Sequence, residues 1–152
     1  MTGLIKVMII RSICDGEIIP IEDVDDTVFS EKFMGDGFAI VPSINKVYAP
    51  TSGYIKHIYH TNHSLVIVND DGYEILIHYG LGSYKIPEGV IQTSIKKGSY
   101  VEEGDLLLTV DFNYFDENNL KKLIIIVFLE VNEIDLSIKE KNVKYGDILI
   151  GR

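Results

Sequence analysis

Residues 59–84 read Y-H-T-N-H-S-L-V-I-V-N-D-D-G-Y-E-I-L-I-H-Y-G-L-G-S-Y. Leu65–Val68 and Tyr73–Tyr79 have strand composition, and the Asn69-Asp70-Asp71-Gly72 run between them is a turn signal. An antiparallel hairpin folds its open ends together. His63 lies seven residues before Asp70 and His78 six after Gly72, so near-equal arms bring the two imidazoles side by side or nearly so. Along Tyr73–Tyr79 the side chains alternate. Ile75, Ile77 and Tyr79 make a core face, while Glu74, Leu76 and His78 share the other, which faces an apolar-rimmed surface depression. Imidazole titrates near neutrality and can act as ligand, base or nucleophile, so a facing pair is a candidate site.

The same punctuation continues outward. Short apolar runs recur at Leu4–Ile10, Glu17–Ile21, Phe38–Val41, Lys46–Tyr48, Tyr54–Tyr59, Asp105–Val110, Leu123–Glu130 and Asp147–Ile150. They are rich in Ile, Val and Tyr and bounded by Gly, Pro, Asp or Asn. Helical patterning is confined to Asp26–Lys32 and Tyr114–Lys122, each opened by acidic residues suited to a helix start. Many short strands without strand–helix alternation indicate an all-β antiparallel sandwich or barrel-like domain with one or two short helices. No Pro/Gly/Ser linker divides the chain, so residues 1–152 are expected to form one domain. The Gly35-Asp36-Gly37 step reads as a structural turn, since glycine accepts positive φ. Val101–Leu107 and Val143–Leu149 share the form V-x-x-G-D-x-L, read as a repeated β-turn rather than a pair of ligand loops.

Composition narrows the function. Hydrophobic residues make up 46% of the chain, which excludes a disordered polymer. The net charge of -9 argues against nucleic-acid binding and suits basic protein partners. Cys14 is the only cysteine, so no intramolecular disulfide can form, and a reducing, cytoplasmic setting is expected. No apolar run reaches about 18 residues, so no membrane-spanning helix is expected. The His57-x-x-His60 pair suggests a metal, but that spacing in a strand puts the two on opposite faces, so they read as surface histidines. The absence of H-x-H argues against a zinc hydrolase of related fold. No M-K-M-like hairpin tip is present for a lipoyl or biotinyl group.

Several segments together resemble one family. These are residues 15–32 (D-G-E-I-I-P-I-E-D-V-D-D-T-V-F-S-E-K), 34–42 (M-G-D-G-F-A-I-V-P), the Ala49–His63 stretch ending in T-N-H, and 74–81 (E-I-L-I-H-Y-G-L). V-x-x-G-D-x-L-L-x-x-D at 101–111 also fits. In that order they resemble the glucose-type enzyme IIA of the bacterial phosphoenolpyruvate-dependent sugar phosphotransferase system, over roughly residues 13–111. The resemblance implies a β-sandwich phosphoryl carrier. His78 would accept a phosphoryl group from the phosphocarrier HPr and pass it to a cysteine of the IIB domain of a sugar permease. His63 would stabilise and orient the group, and Thr61 would hydrogen-bond one imidazole. Phe29 and Tyr59 match aromatics that flank the family's site. The family usually carries an aspartate where this chain has Gly82, so recognition of the donor's arginine would be weakened there. A non-catalytic regulatory module that docks transporters or kinases is the alternative. The carrier chemistry requires no cofactor, though His63 and His78 could share a zinc completed by water or a partner's carboxylate.

Overall fold

The computed structural model describes residues 9–81, 86–137 and 141–151. Thirteen strands and two short helices are described among these residues. In chain order the strands are β1 Ile10–Arg11, β2 Gly16–Pro20, β3 Gly35–Pro42, β4 Lys46–Tyr48, β5 Gly53–Ile58, β6 Ser64–Asn69 and β7 Glu74–Tyr79. They continue as β8 Ile91–Gln92, β9 Tyr100–Val101, β10 Leu106–Val110, β11 Ile124–Leu129, β12 Asn142–Val143 and β13 Ile148–Ile150. All pairings are antiparallel. Eight strands form one sheet in the order β12-β2-β3-β11-β7-β6-β5-β9, three form a second in the order β4-β10-β8, and β1 pairs with β13. The expected all-β antiparallel architecture is what the chain adopts.

The sheets close on a core that draws on all three, with Ile10, Phe38, Val47, Ile67, Ile77, Ile91, Leu108, Ile126 and Ile150 all buried in it. The other face of the large sheet is covered differently. A single 3-10 turn, Ile21–Asp23, and helix α1, Thr27–Ser30, lie across it. Ile21, Val24 and Phe29 from this cover pack with Ala39, Leu76, Leu123, Ile125 and Val127 into a second, smaller apolar cluster. β11 is therefore central in its sheet and clothed on both faces. Its unbroken I-I-I-V-F-L run follows, because neither face meets water.

Local chemistry sets the element ends. Asp26 caps α1 through its carboxylate, which accepts from the Val28 N–H at 3.0 Å. The second helix, α2, spans Phe112–Glu117 rather than the expected Tyr114–Lys122. It begins earlier because Asp111, not a later acid, accepts from the Tyr114 N–H, and it ends where Asn119 turns left-handed at φ 53°. The Gly35-Asp36-Gly37 step is not a turn but the start of β3. A side chain at Gly37 would put its Cβ 1.8 Å from the Ile126 carbonyl oxygen of β11, so glycine is needed there for close approach. The two V-x-x-G-D-x-L segments are matching turns, as read. Asp105 accepts from the Glu102 N–H at 2.8 Å and Asp147 from the Lys144 N–H at 2.9 Å. Of the expected strand Leu4–Ile10, residues 4–8 lie outside the described residues, and the strand proper begins at Ile10.

Candidate functional site

The β6–β7 hairpin carries the site. Asn69 closes its turn, with the side-chain oxygen accepting from the N–H groups of Asp71 (3.1 Å) and Tyr73 (2.9 Å), and Gly72 supplies φ +88°. This sets a register in which Ser64 faces His78 and Leu65 faces Ile77. One residue further out, the Tyr79 N–H donates to the His63 carbonyl at 2.7 Å. The pleat then turns Ile75, Ile77 and Tyr79 into the main core and Leu76 into the second cluster. His78 shares the Leu76 face and pairs on its other side with Ile125 of β11.

The two imidazoles meet edge to face, with ring centroids 5.2 Å apart and planes at 89°. Phe29, reaching over from α1, lies 5.2 Å from the His78 ring. Tyr59 lies 4.7 Å from the His63 ring. Thr61 is buried, and its hydroxyl is hydrogen-bonded to His63 Nδ1. The structure thus gathers Thr61, His63, His78, Phe29 and Tyr59 into one place. It does not bring in the other histidines in the same way. His57 is an exposed residue of β5 just after a bulge, and His60, in the loop beyond the strand, lies against Tyr59 with ring centroids 4.6 Å apart. Gly82 lies outside the described residues.

Electrostatics distinguish the pair from free imidazoles. Burial under Phe29 and the apolar sheet face, with His63 alongside, pushes His78 down to about 4. The Asp26 carboxylate and a backbone hydrogen bond at Gly80 pull the other way. A backbone group that favours the protonated ring acts on it as an acceptor, so Gly80 offsets part of the effect of burial. His63, 4% exposed, is also lowered, by burial and then by His60. Both rings are therefore neutral near pH 7. A neutral imidazole carries hydrogen on one nitrogen and a lone pair on the other, and that second nitrogen is a nucleophile. Asp26 and the Gly80 carbonyl were not singled out from sequence. A capping aspartate three residues before Phe29 could have flagged the first, whereas a backbone carbonyl leaves no sequence signal.

As ligands for a metal, His63 and His78 supply two nitrogens. Among the described residues no group of three or more His, Cys, Asp or Glu side chains is placed to hold an ion. No helix among them is long and apolar enough to cross a membrane.

The family model described as phosphoenolpyruvate-dependent sugar phosphotransferase system, EIIA 1, matches residues 8–134. The likeness thus continues through β11, well past residue 111. The chain is 40% identical over 121 residues to the glucosamine-specific EIICBA component of Bacillus subtilis (strain 168), covering 80% of this chain and 19% of that protein. It thus spans about a fifth of that relative's length. Among solved structures, the glucose permease IIA from Mycoplasma capricolum superposes with a TM-score of 0.84 at 33% identity, covering 94% of each chain.

Proposed function

This chain belongs to the EIIA 1 family of the phosphoenolpyruvate-dependent sugar phosphotransferase system, and from that premise we propose that it is a phosphoryl carrier in which His78 takes a phosphoryl group from HPr and delivers it to the IIB cysteine of a sugar permease. The observation that carries this reading is the neutral, half-buried His78 set edge to face against His63 at 5.2 Å. In the first transfer the unprotonated nitrogen of His78 attacks phosphorus. A new N–P bond forms as the N–P bond of the donor's phosphohistidine breaks, and no proton has to leave His78. Its other nitrogen keeps its hydrogen, which the Gly80 carbonyl stabilises as the ring becomes cationic. In the second transfer a partner thiolate attacks phosphorus and the His78 ring leaves as the neutral imidazole it was before.

His63 serves the transferred group. When the Thr61 hydroxyl donates to Nδ1, the ring proton of His63 resides on Nε2, which is free to donate to a phosphoryl oxygen. Phosphoryl transfer depends on such positioning and charge stabilisation more than on new covalent chemistry. Exposed Tyr59, and Val28 and Phe33 in and after the helix that carries Phe29, offer apolar surface suited to docking a protein. The excess of acid over base in the chain favours a basic partner face. A zinc at His63 and His78 would take two of its ligands from this chain and the rest from water or a docked carboxylate.

Incubation with phosphoenolpyruvate, enzyme I and HPr tests the reading. One acid-labile, base-stable phosphate per chain is expected, and it is lost in His78→Ala. A wild type that docks HPr but takes no label would instead make the chain a regulatory binding module. Label that persists in His78→Ala would reassign the acceptor.

A further inference from the structure

Asn62 lies between Thr61 and His63 and is one of four non-glycine residues with positive φ among those described, at 66°. Left-handed backbone disfavours most side chains, and asparagine is among the few that tolerate it. Here it curls the loop so that the Thr61 hydroxyl returns onto the Nδ1 of His63 two residues on. The Asn62 N–H donates to the Tyr59 carbonyl at 2.7 Å, which tightens the same turn. Its carboxamide reaches in the opposite direction. Nδ2 donates to the Ile91 carbonyl at 3.0 Å, a partly buried bond.

Ile91 belongs to β8, in the three-stranded sheet. The other anchors of the loop stay within the large sheet, namely Tyr59 N–H to the Ser64 carbonyl (2.8 Å) and Tyr79 N–H to the His63 carbonyl (2.7 Å). Asn62 is thus the loop's one side-chain tie to the opposite sheet among the described residues. Those backbone anchors locate the His63 main chain, but they leave the ring free to rotate and to choose which nitrogen bears hydrogen. The Thr61 hydroxyl holds Nδ1 and with it the direction of the ring. On the carrier reading it donates there and leaves hydrogen on Nε2, and the Asn62 turn is what brings Thr61 to it.

We propose that Asn62 is a positioning residue for phosphoryl transfer: its left-handed backbone and its carboxamide tether to Ile91 hold Thr61 on His63 and so fix the tautomer and direction of the ring that faces His78. The inference rests on the carrier reading for its functional consequence, though not for the effect on His63 itself. The Asn62 carboxamide bonds the Ile91 carbonyl and not a histidine ring, so it acts through His63 and not on the phosphorus.

Two variants keep the left-handed turn and remove the tether by different means. Asn62→Gly keeps the left-handed turn and deletes the tether. Asn62→Asp keeps size and backbone tolerance, but its carboxylate cannot donate to the Ile91 carbonyl and is repelled by it. Imidazole nitrogen-15 shifts read the His63 tautomer with no partner protein present, and single-turnover transfer from phosphorylated HPr reads the function. Wild type is expected to show one His63 tautomer with hydrogen on Nε2. Both variants should shift towards a tautomer mixture and slow transfer about tenfold to a hundredfold, the range for a misplaced catalytic neighbour, at an unchanged KM for the donor. If Asn62→Gly fails to fold by thermal melting, Asn62→Asp carries the test. Unchanged His63 shifts in both variants overturn the role of Asn62, even if the rate falls, because a merely structural defect would slow transfer without moving the tautomer. A folded wild type that takes no label overturns the carrier reading instead.

Discussion

Acidifying the protein should destabilise it through His78 in a calculable way. The ring titrates at about 4 in the folded chain against an ordinary value of 6.5. Folding therefore favours the neutral ring. This contribution is intact above pH 6.5, is lost as pH falls from 6.5 towards 4, and changes no further below that, where both states are protonated. Each pH step of one between those two titration points corresponds to about 1.36 kcal/mol, so a ring fully withdrawn from water would cost about 1.4 kcal/mol at pH 5.5 and about 2.6 at pH 4.5. Partial solvent contact brings the expected loss to about 1 and about 2 kcal/mol respectively. Carboxylates titrate over the same range, so the measurement is a difference. Urea unfolding of wild type and His78→Gln, a non-titrating replacement, is compared at pH 7.5, 5.5 and 4.5. The variant should gain on wild type by those amounts as pH falls, at equal m-values. Phosphoryl acceptance should meanwhile stay flat between about pH 8 and 5.5, because the acceptor is already unprotonated. A His78 resonance that titrates near 6.5, or a variant that tracks wild type to pH 4.5 within about 0.3 kcal/mol, would refute the claim that burial governs this ring.

Other perturbations probe neighbouring parts of the same account. Tyr79 is fully buried and its hydroxyl has no hydrogen-bond partner, so Tyr79→Phe should stabilise the fold by about 0.5–2 kcal/mol in urea without altering labelling of His78; a loss of stability would mean the hydroxyl is satisfied. Gly37→Ala forces a Cβ against the Ile126 carbonyl and should cost about 3 kcal/mol or more by thermal or urea unfolding, whereas Gly72→Ala, with open space but positive φ, should cost about 1 kcal/mol. Thr61→Val should slow transfer while Thr61→Ser retains it, since only the hydroxyl orients His63; equal rates would sever that link. Gly82→Asp should lower the KM for a heterologous HPr about tenfold at low salt and leave the maximal rate unchanged, and an effect on rate alone would remove this position from donor recognition.

The hairpin is legible because two short-range rules coincide in it. A period of two assigns each side chain to a face, and an Asn-Asp-Asp-Gly turn fixes the register, so the His63–His78 encounter needs no information from the rest of the chain. The Gly35-Asp36-Gly37 step misleads for a complementary reason. Glycine's backbone freedom is visible locally, but its other use, the lack of a Cβ where β11 presses on β3, depends on a strand some ninety residues away. The two-residue strands β8, β9 and β12 carry too little pattern to be seen at all. α2 is displaced from its expected span because its cap is Asp111, whose carboxylate accepts from the Tyr114 N–H and starts the helix at Phe112. At the site, side chains are readable from sequence and backbone groups are not. The Gly80 carbonyl and the left-handed turn at Asn62 arise from chain path and not from residue type alone.

The electrostatic character of the site fits a carrier better than a phosphate-binding protein. The groups that act on His78 are burial, His63, Asp26 and the Gly80 backbone, and no lysine or arginine is among them. A site built to retain phosphate would place fixed cations or a helix N-terminus against it. On the carrier reading, a dianionic phosphoryl group on His78 would meet a neutral His63 and the Asp26 carboxylate, so little among these groups would offset its charge. A cation favouring its arrival would then have to come with the partner and leave with it. Such an arrangement would keep the N–P bond labile in both directions. The apolar cover from Ile21 to Phe29 then has a second use beyond keeping His78 neutral. On the carrier reading it would also limit access of water, the one nucleophile present at high concentration that would discharge the phosphoryl group before a IIB thiolate arrives.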